Sequence, residues 1–415
     1  MMKRRWNSAA PFCLLAGGVP FLLFLLTFHH FFRLEIADLW VYSRTCEYLS
    51  AGEVPNLGFP LEYPPLAALV MAGPRLFGAG AWMHGLPYYT ICFAFQCALL
   101  GVAAIPAIMA LAPRMGLPAP TAASRYIILL SVSFIIALYR FDLFPALVTL
   151  LAILCLLDDR PSWAGAWLGV AIAVKVYPLV LIGVFFGYAF SRRRFNDAAR
   201  MLASMIVAIV LPLTPYIAMH DTAFLYFVHY QRLRGLQIET VAAGLIQLAA
   251  HFHWTTLSLV QNYGATHVAS PWSPPMLRFL PTIMVIACLA MTVVGYRRMR
   301  RDVLQAGSPG APTVIATCMA LLLIFMVLNK VFSPQYLIWV FALGALLDKR
   351  KFWLLLAICL FTLAIYPFGY RRLINQDLSA ILVLNLRNLL MIWLTIDVAA
   401  GLLLNSSARE TAPQE

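Results

Sequence analysis

Lys3-Arg4-Arg5 stands just ahead of Ala9-Ala10-Pro11-Phe12-Cys13-Leu14-Leu15-Ala16-Gly17-Gly18-Val19-Pro20-Phe21-Leu22-Leu23-Phe24-Leu25-Leu26-Thr27-Phe28, a run with no charged side chain. Three cations before an apolar stretch close to the roughly 20 residues that cross a bilayer core predict a first membrane span with a cytoplasmic N-terminus. The pattern superficially resembles a signal peptide. It has no small-residue cleavage site ahead of His29-His30, and many more apolar runs follow, so a retained anchor is expected.

Working outward, run length and basic loops predict about twelve spans in an all-α integral membrane protein, a polytopic bundle with extracytoplasmic surface helices. They are Ala9–Phe28, Leu86–Leu111, Arg125–Leu138, Leu143–Leu157, Trp163–Val174, Val176–Phe190, Ala198–Met219, Met276–Tyr296, Pro312–Leu328, Pro334–Leu347, Phe352–Phe368 and Ala380–Leu404. Trp163–Val174 and Val176–Phe190 are short for upright spans. They read as two tightly linked spans or one bent element, broken at Lys175 with Pro178 behind it.

A cytoplasmic N-terminus also places Arg192-Arg193-Arg194, Arg297-Arg298, Arg300-Arg301 and Lys349-Arg350-Lys351 inside, as basic loops require. One polytopic domain, 1–404, is expected, with extracytoplasmic loops at 29–85 and 220–275 and a disordered cytoplasmic tail at 405–415. Asp38, Glu62, Arg140, Asp142, Lys175, His229, Arg232, Arg234, Glu239, Lys330, Arg371 and Arg372 then share the outer face. An active face is therefore expected outside the cell membrane. No internal repeat marks an inverted-repeat transporter.

Composition agrees. Of 415 residues, 62% are hydrophobic and 11% charged, with a mean hydropathy of +0.82, which excludes an ordinary soluble globule. The net charge of +13 sits in short loops, where it suits anionic lipid headgroups rather than nucleic acid. Seven of the eight cysteines lie inside apolar runs, Cys46 being the exception, and no spacing suggests a metal site or disulfide framework. The histidines of the second loop lack zinc-ligand spacing, and there is no Gly-rich phosphate loop.

The chemistry-bearing stretches lie between spans. Ile36–Ala51 predicts an amphipathic helix on the membrane surface, with Asp38 in its first turn, Tyr42 one turn further on the same face, and Gly52 beyond its end. Asp38 reads either as a general base or as a plain helix-start carboxylate. Glu62-Tyr63-Pro64-Pro65 predicts a stiff extended turn, which positions Tyr63 in a pocket wall or simply re-enters the membrane. Lys175-Val176-Tyr177-Pro178, Asn329-Lys330 and Arg387 offer cations facing the acid, suited to a departing phosphate or to snorkelling toward headgroups. Asp397, ten residues from Arg387, is on another face of its helix and is not expected to pair with it. Glu239 reads as a second acid or as a helix cap.

In order along the chain, these pieces resemble the GT-C superfamily of membrane glycosyltransferases, in particular glycosyltransferase family 87. Asp38 with Val41-Tyr42, Leu49, Gly52 and Tyr63-Pro64-Pro65-Leu66 is similar to the family's first-loop pattern. Gly169 through Lys175-Val176-Tyr177-Pro178 is similar to its glycine-to-lysine-proline segment, and Gln237-Ile238-Glu239 to part of its later outer loop. Asn329-Lys330-Val331, Ser333, Gln335-Tyr336-Leu337 and Trp339 also resemble the mannosyltransferase subunit of GPI-anchor synthesis. The resemblance implies a polyprenyl-phosphate sugar donor, by default mannose, an inverting transfer, and a first-loop carboxylate as base.

The expected enzyme moves a sugar from that donor to a lipid or glycan acceptor among membrane lipids. Asp38 is its base, and Lys175, Lys330 and Arg387 bind the donor phosphate. Tyr42, Glu62, Tyr63, Arg140, Asp142, Tyr177, Glu239, Gln335 and Tyr336 form the pocket. No cofactor is expected, and the lack of an Asp-x-Asp pair leaves metal dependence open. The competing expectation is a multispan transporter or flippase for a lipid-linked or polar solute, which requires charges spread over both halves of the bilayer.

Overall fold

A 49-residue helix, α1 (Met2–Ser50), opens the protein. It is drawn from a computed structural model that describes residues 2–78 and 81–404. The segment expected as a separate surface helix is the last third of α1, so Asp38 lies inside a helix and not in a first turn. The reason is local: between Phe28 and Ala51 there is no Gly or Pro, and polar side chains mark where a chain leaves the membrane without breaking its helix. The helix-start electrostatics anticipated for Asp38 therefore do not apply. α1 ends where expected, at Gly52, whose φ of 83° suits a residue without Cβ.

The described residues of Met1–Leu179, Ala199–Leu233 and Leu337–Leu346 form one compact unit. After α1 come α2 (Ala67–Ala72), α3 (Ala81–Leu111), α4 (Ala119–Val132), α5 (Phe134–Ala137), α6 (Leu143–Leu157) and α7 (Pro161–Val174). α1 packs on α2, α3 and α4, and α6 on α3 and α7. The chain breaks after α7 because Lys175 is extended (φ −154°, ψ 133°). Pro178 explains the break, since its ring would strike the carbonyl of Val174 in a continued helix. α7 carries Gly169, where a Cβ would come within 2.6 Å of the Met205 carbonyl oxygen. This glycine lets two backbones touch, as small residues do between membrane helices.

The other unit comprises the described residues of Val180–Ala198, Arg234–Tyr336 and Leu347–Glu415. It holds α8 (Ile182–Ser191) and the first residues of α9 (Phe195–Val210), whose remainder continues in the first unit with α10 (Thr214–Ala218) and α11 (Tyr226–Leu233). α12 (Val241–His251) leads to an unforeseen antiparallel hairpin, β1 (Ser258–Asn262) and β2 (Ala265–Ala269). α13 (Ser273–Ala306) and α14 (Ala311–Leu328) follow. α15 (Ile338–Ala345) returns to the first unit, before α16 (Lys349–Ile365), α17 (Tyr370–Ile374) and α18 (Leu378–Leu404). α18 packs against α12, α13, α14 and α16.

Each expected span falls on one or more of these helices, and six are long and apolar enough to cross a bilayer by length and composition. The others are shorter. Their surfaces read as membrane solvent: α13 exposes Phe279, Ile283, Ile286, Leu289 and Val293, a stripe far too apolar for water. The protein is an all-α polytopic membrane bundle. The tail anticipated as disordered lies outside the described residues.

Candidate active site

In the first unit α1 carries Asp38 toward the turn that joins α5 to α6. Arg140, in that turn, places Nε 2.7 Å from Asp38 Oδ2, with the acid side chain 32% exposed and the arginine 9%. Tyr42, one turn beyond Asp38, is buried, and its hydroxyl has no hydrogen-bond partner among the described residues. Its ring meets Phe141 edge-on at 5.6 Å. Phe141 also meets Tyr63 edge-on at 4.9 Å. Tyr63 leaves the Glu62-Tyr63-Pro64-Pro65 turn with its ring against this cluster. Desolvation first, and then the Glu62 carboxylate, push its phenol well above the ordinary tyrosine value, so Tyr63 is a hydrogen-bond donor.

Asp142 is fully buried. Lys175 donates to its Oδ1 at 2.6 Å, and the Trp339 indole donates to the same oxygen at 2.6 Å. Trp339 lies flat on Tyr177 with centroids 3.9 Å apart, and the Tyr177 hydroxyl is 3.3 Å from that of Thr149. The structure pairs Lys175 with Asp142, and Asp38 with Arg140, within the same unit. Pairing depends on which element reaches which, and residue types do not encode that.

The second unit gathers a different set. Arg387, on α18, is fully buried. It donates Nη2 to the Glu239 carbonyl at 2.6 Å and stands over the Phe332 ring at 4.2 Å. Glu239 is not the cap of α12; that task falls to Thr240, whose hydroxyl accepts from the Ala243 amide. The Glu239 carboxylate instead accepts from Gln237 at 3.2 Å, and Gln237 also reaches Ser333 at 3.3 Å. Lys330 donates to the Arg234 carbonyl at 2.7 Å. Burial and the Arg234 charge hold its ammonium below the ordinary lysine value. Gln335 and Tyr336 follow on the 3₁₀ turn at Pro334–Leu337, half-buried, with Tyr336 against Phe332 at 5.9 Å. Asp397 pairs with Arg350 and Lys351, at 3.8 and 3.7 Å.

The structure thus brings Asp38, Tyr42, Glu62, Tyr63, Arg140, Asp142, Lys175 and Tyr177 into one unit. Glu239, Lys330, Gln335, Tyr336 and Arg387 belong to the other. Phe141 and Trp339 were absent from the expected site. Phe141 stands between two candidates, Arg140 and Asp142, and that position was its only signal. Among the described residues no group of three or more His, Cys, Asp or Glu is placed to hold a metal ion.

The first unit also holds an apolar groove of about 1140 Å³, bounded by Leu66, Val70, Leu100, Val170, Val207 and Leu211, with Arg200 and Ser162 among its few polar residues. It exceeds the roughly 300–1,000 Å³ typical of small-molecule pockets. Leu66, three residues after Tyr63, and Phe144, two after Asp142, line the groove, so it is close in sequence to two members of the polar cluster.

Comparison with known proteins gives one family. A model of glycosyltransferase family 87 matches residues 61–324, more than half of the chain. The match includes Tyr63, Asp142, Lys175 and Glu239 and leaves out Asp38, Lys330 and Arg387. Among solved structures, the crystal structure of ArnT from Cupriavidus metallidurans in the apo state is similar, with 14% identity and a TM-score of 0.44. The alignment covers 87% of this chain and 71% of that chain. No curated protein matches.

Proposed function

Since this chain belongs to glycosyltransferase family 87, we propose that it moves a sugar from a polyprenyl-phosphate donor to a lipid or glycan acceptor, with inversion, on the extracytoplasmic face. Mannose is the sugar that the family resemblance favours. One observation carries the donor class. A single unit holds both an ion-paired polar cluster around Asp38 and Lys175 and a large apolar groove. That combination fits an amphiphile with a charged head and a hydrocarbon tail, and burying the tail contributes about 0.8 kcal/mol per methylene. The basic loops of the sequence support the orientation.

In this reading Asp38 takes the proton of an acceptor hydroxyl, whose oxygen attacks the anomeric carbon as the bond from that carbon to the phosphate oxygen breaks. The electron pair leaves with the polyprenyl phosphate. Arg140 fixes the base, and Tyr63 donates to the sugar or phosphate. Lys175 answers the charge that develops on the leaving group, where a cation in a dry site is worth far more than in water. Lys175 is the phosphate partner used here because it shares a unit with Asp38. The reaction as drawn uses no cofactor.

The test offers purified protein in nanodiscs a panel of labelled polyprenyl-phosphate sugars with a total lipid extract, with and without EDTA. Transfer by wild type and not by Asp38→Asn supports the proposal, and the EDTA arm reports metal dependence. Folded wild type that moves no label from any donor overturns it in favour of the transporter expectation.

A further inference from the structure

Asp142 stands immediately before α6, where an aspartate ordinarily accepts hydrogen bonds from the first amides of its own helix. Here its backbone is already helical and its side chain makes no such bond. The carboxylate is turned away, and Oδ1 accepts from both Lys175 Nζ and Trp339 Nε1, each at 2.6 Å. Oδ2 is buried with no hydrogen-bond partner among the described residues. The two side chains of the ion pair are 1% and 12% exposed. Apolar residues of similar volume commonly replace such a pair at no loss of stability. A buried pair with one oxygen unsatisfied is therefore poorly explained as a stabilising device.

The surroundings indicate another task. Three aromatic rings face the Lys175 ammonium, Phe141 at 4.7 Å, Trp339 at 5.5 Å and Tyr63 at 5.7 Å. Each is held in turn: Trp339 by the Tyr177 stack, Tyr63 and Phe141 by each other. A lysine head on four rotatable bonds ordinarily samples many positions. This one is confined by a carboxylate oxygen and aromatic faces belonging to three separate stretches of chain.

We propose that Asp142, assisted by Trp339, is a positioning residue that holds Lys175 where negative charge develops on the departing polyprenyl phosphate. The inference rests on the glycosyl-transfer reading above. Neither residue touches the reacting atoms; both act through the lysine. As the anomeric carbon to oxygen bond breaks and its electron pair passes to the phosphate oxygen, a cation already in place stabilises that charge without reorganising. Asp142 also sets how much positive charge the site presents, since it balances Lys175 in the resting protein.

The experiment is a double-mutant cycle on transfer kinetics with the labelled donors. Lys175→Met keeps length and suits an aromatic surround. It is expected to lower kcat about 100-fold, and Asp142→Asn about 10-fold. In the Lys175→Met background, Asp142→Asn is expected to cost less than about 2-fold, because its effect passes through the missing lysine. The donor KM stays within about 3-fold throughout, as expected for an interaction that strengthens only in the transition state. Trp339→Phe keeps the stack on Tyr177, removes only the indole donor, and gives a smaller loss that also vanishes without Lys175. If Asp142→Asn fails to fold, the cycle is run with Trp339→Phe. Equal losses with and without Lys175, in an active wild type, overturn the positioning role and leave the enzyme reading standing. A folded wild type with no transfer overturns both.

Discussion

Arg140 and Asp38 meet with Nε 2.7 Å from Oδ2, the arginine 9% exposed and the acid 32%. The cation is the buried member of the pair, so it anchors the carboxylate from below while a third of the acid side chain stays open. A general base needs that asymmetry: one side fixed and the other reachable by a substrate proton. It also turns the first-unit cluster into an alternation of charges, Asp38 with Arg140 and Asp142 with Lys175.

Asp38→Asn keeps the shape of the side chain and removes its basicity. Transfer is expected to fall by about 10²–10⁴-fold, the usual contribution of a positioned acid or base, with the melting temperature little changed. Arg140→Gln should lower kcat less, about 10-fold, by loosening the same carboxylate. Initial rates and a thermal melt of each variant check both, and near-normal turnover in Asp38→Asn would move the base to Glu62.

Ala203 lines the groove in the first unit. Filling the groove by Ala203→Trp should raise KM for long-chain donors by about 10-fold, the value of roughly two lost methylene contacts. Short-chain donors should be nearly indifferent. Comparing KM across donors of increasing tail length tests this, and a chain-length-independent effect would detach the groove from the tail.

Arg387 is the largest fully buried polar side chain among the described residues, bound to the Glu239 carbonyl and attracted by its carboxylate. Arg387→Met should destabilise the protein by about 3–5 kcal/mol, because it removes both the donor to the buried Glu239 carbonyl and the positive charge that attracts the Glu239 carboxylate. Adding Glu239→Gln should recover part of that loss. Thermal melts of the two single variants and the double in detergent decide it, and an unrecovered double variant would mean that packing, and not charge, is what Arg387 supplies.

His267, in β2, is held below the ordinary histidine value of 6.5 by burial and then by the Arg234 charge, with Lys330 adding to it. The sign follows directly. The folded state resists protonation, so below about 6.5 the unfolded chain binds the proton more readily. This contribution to stability is complete above that pH and is lost as the pH falls. Wild type should lose melting temperature between pH 7.5 and 5 by more than His267→Gln does. Parallel slopes for the two proteins would refute it.

Much of this was legible from sequence because membrane solvent imposes a strong rule. A backbone in hydrocarbon must satisfy its own hydrogen bonds, so each long apolar run becomes a helix. Each expected span duly fell on helix. The Lys175 break was legible too, since Pro178 acts on the backbone four residues behind it. Where the rule weakens, the reading failed. Polarity changes at Ile36–Ala51, which marks a segment apart from the first span, yet nothing in those residues stops a helix. The β1–β2 hairpin went unseen in a loop with no alternating pattern strong enough to announce it.

The sequence by itself determined the solvent, the helical class, the break at Lys175 and the residue types available for chemistry, because each follows from local hydropathy or from backbone sterics. Tertiary structure alone decided which charges meet. Asp38 is bound to Arg140, 102 positions along the chain, and Asp142 joins Lys175 and Trp339, 33 and 197 positions away. Ion pairs and aromatic stacks form between neighbours in space, and helix packing brings those neighbours together from distances in sequence that no motif spans.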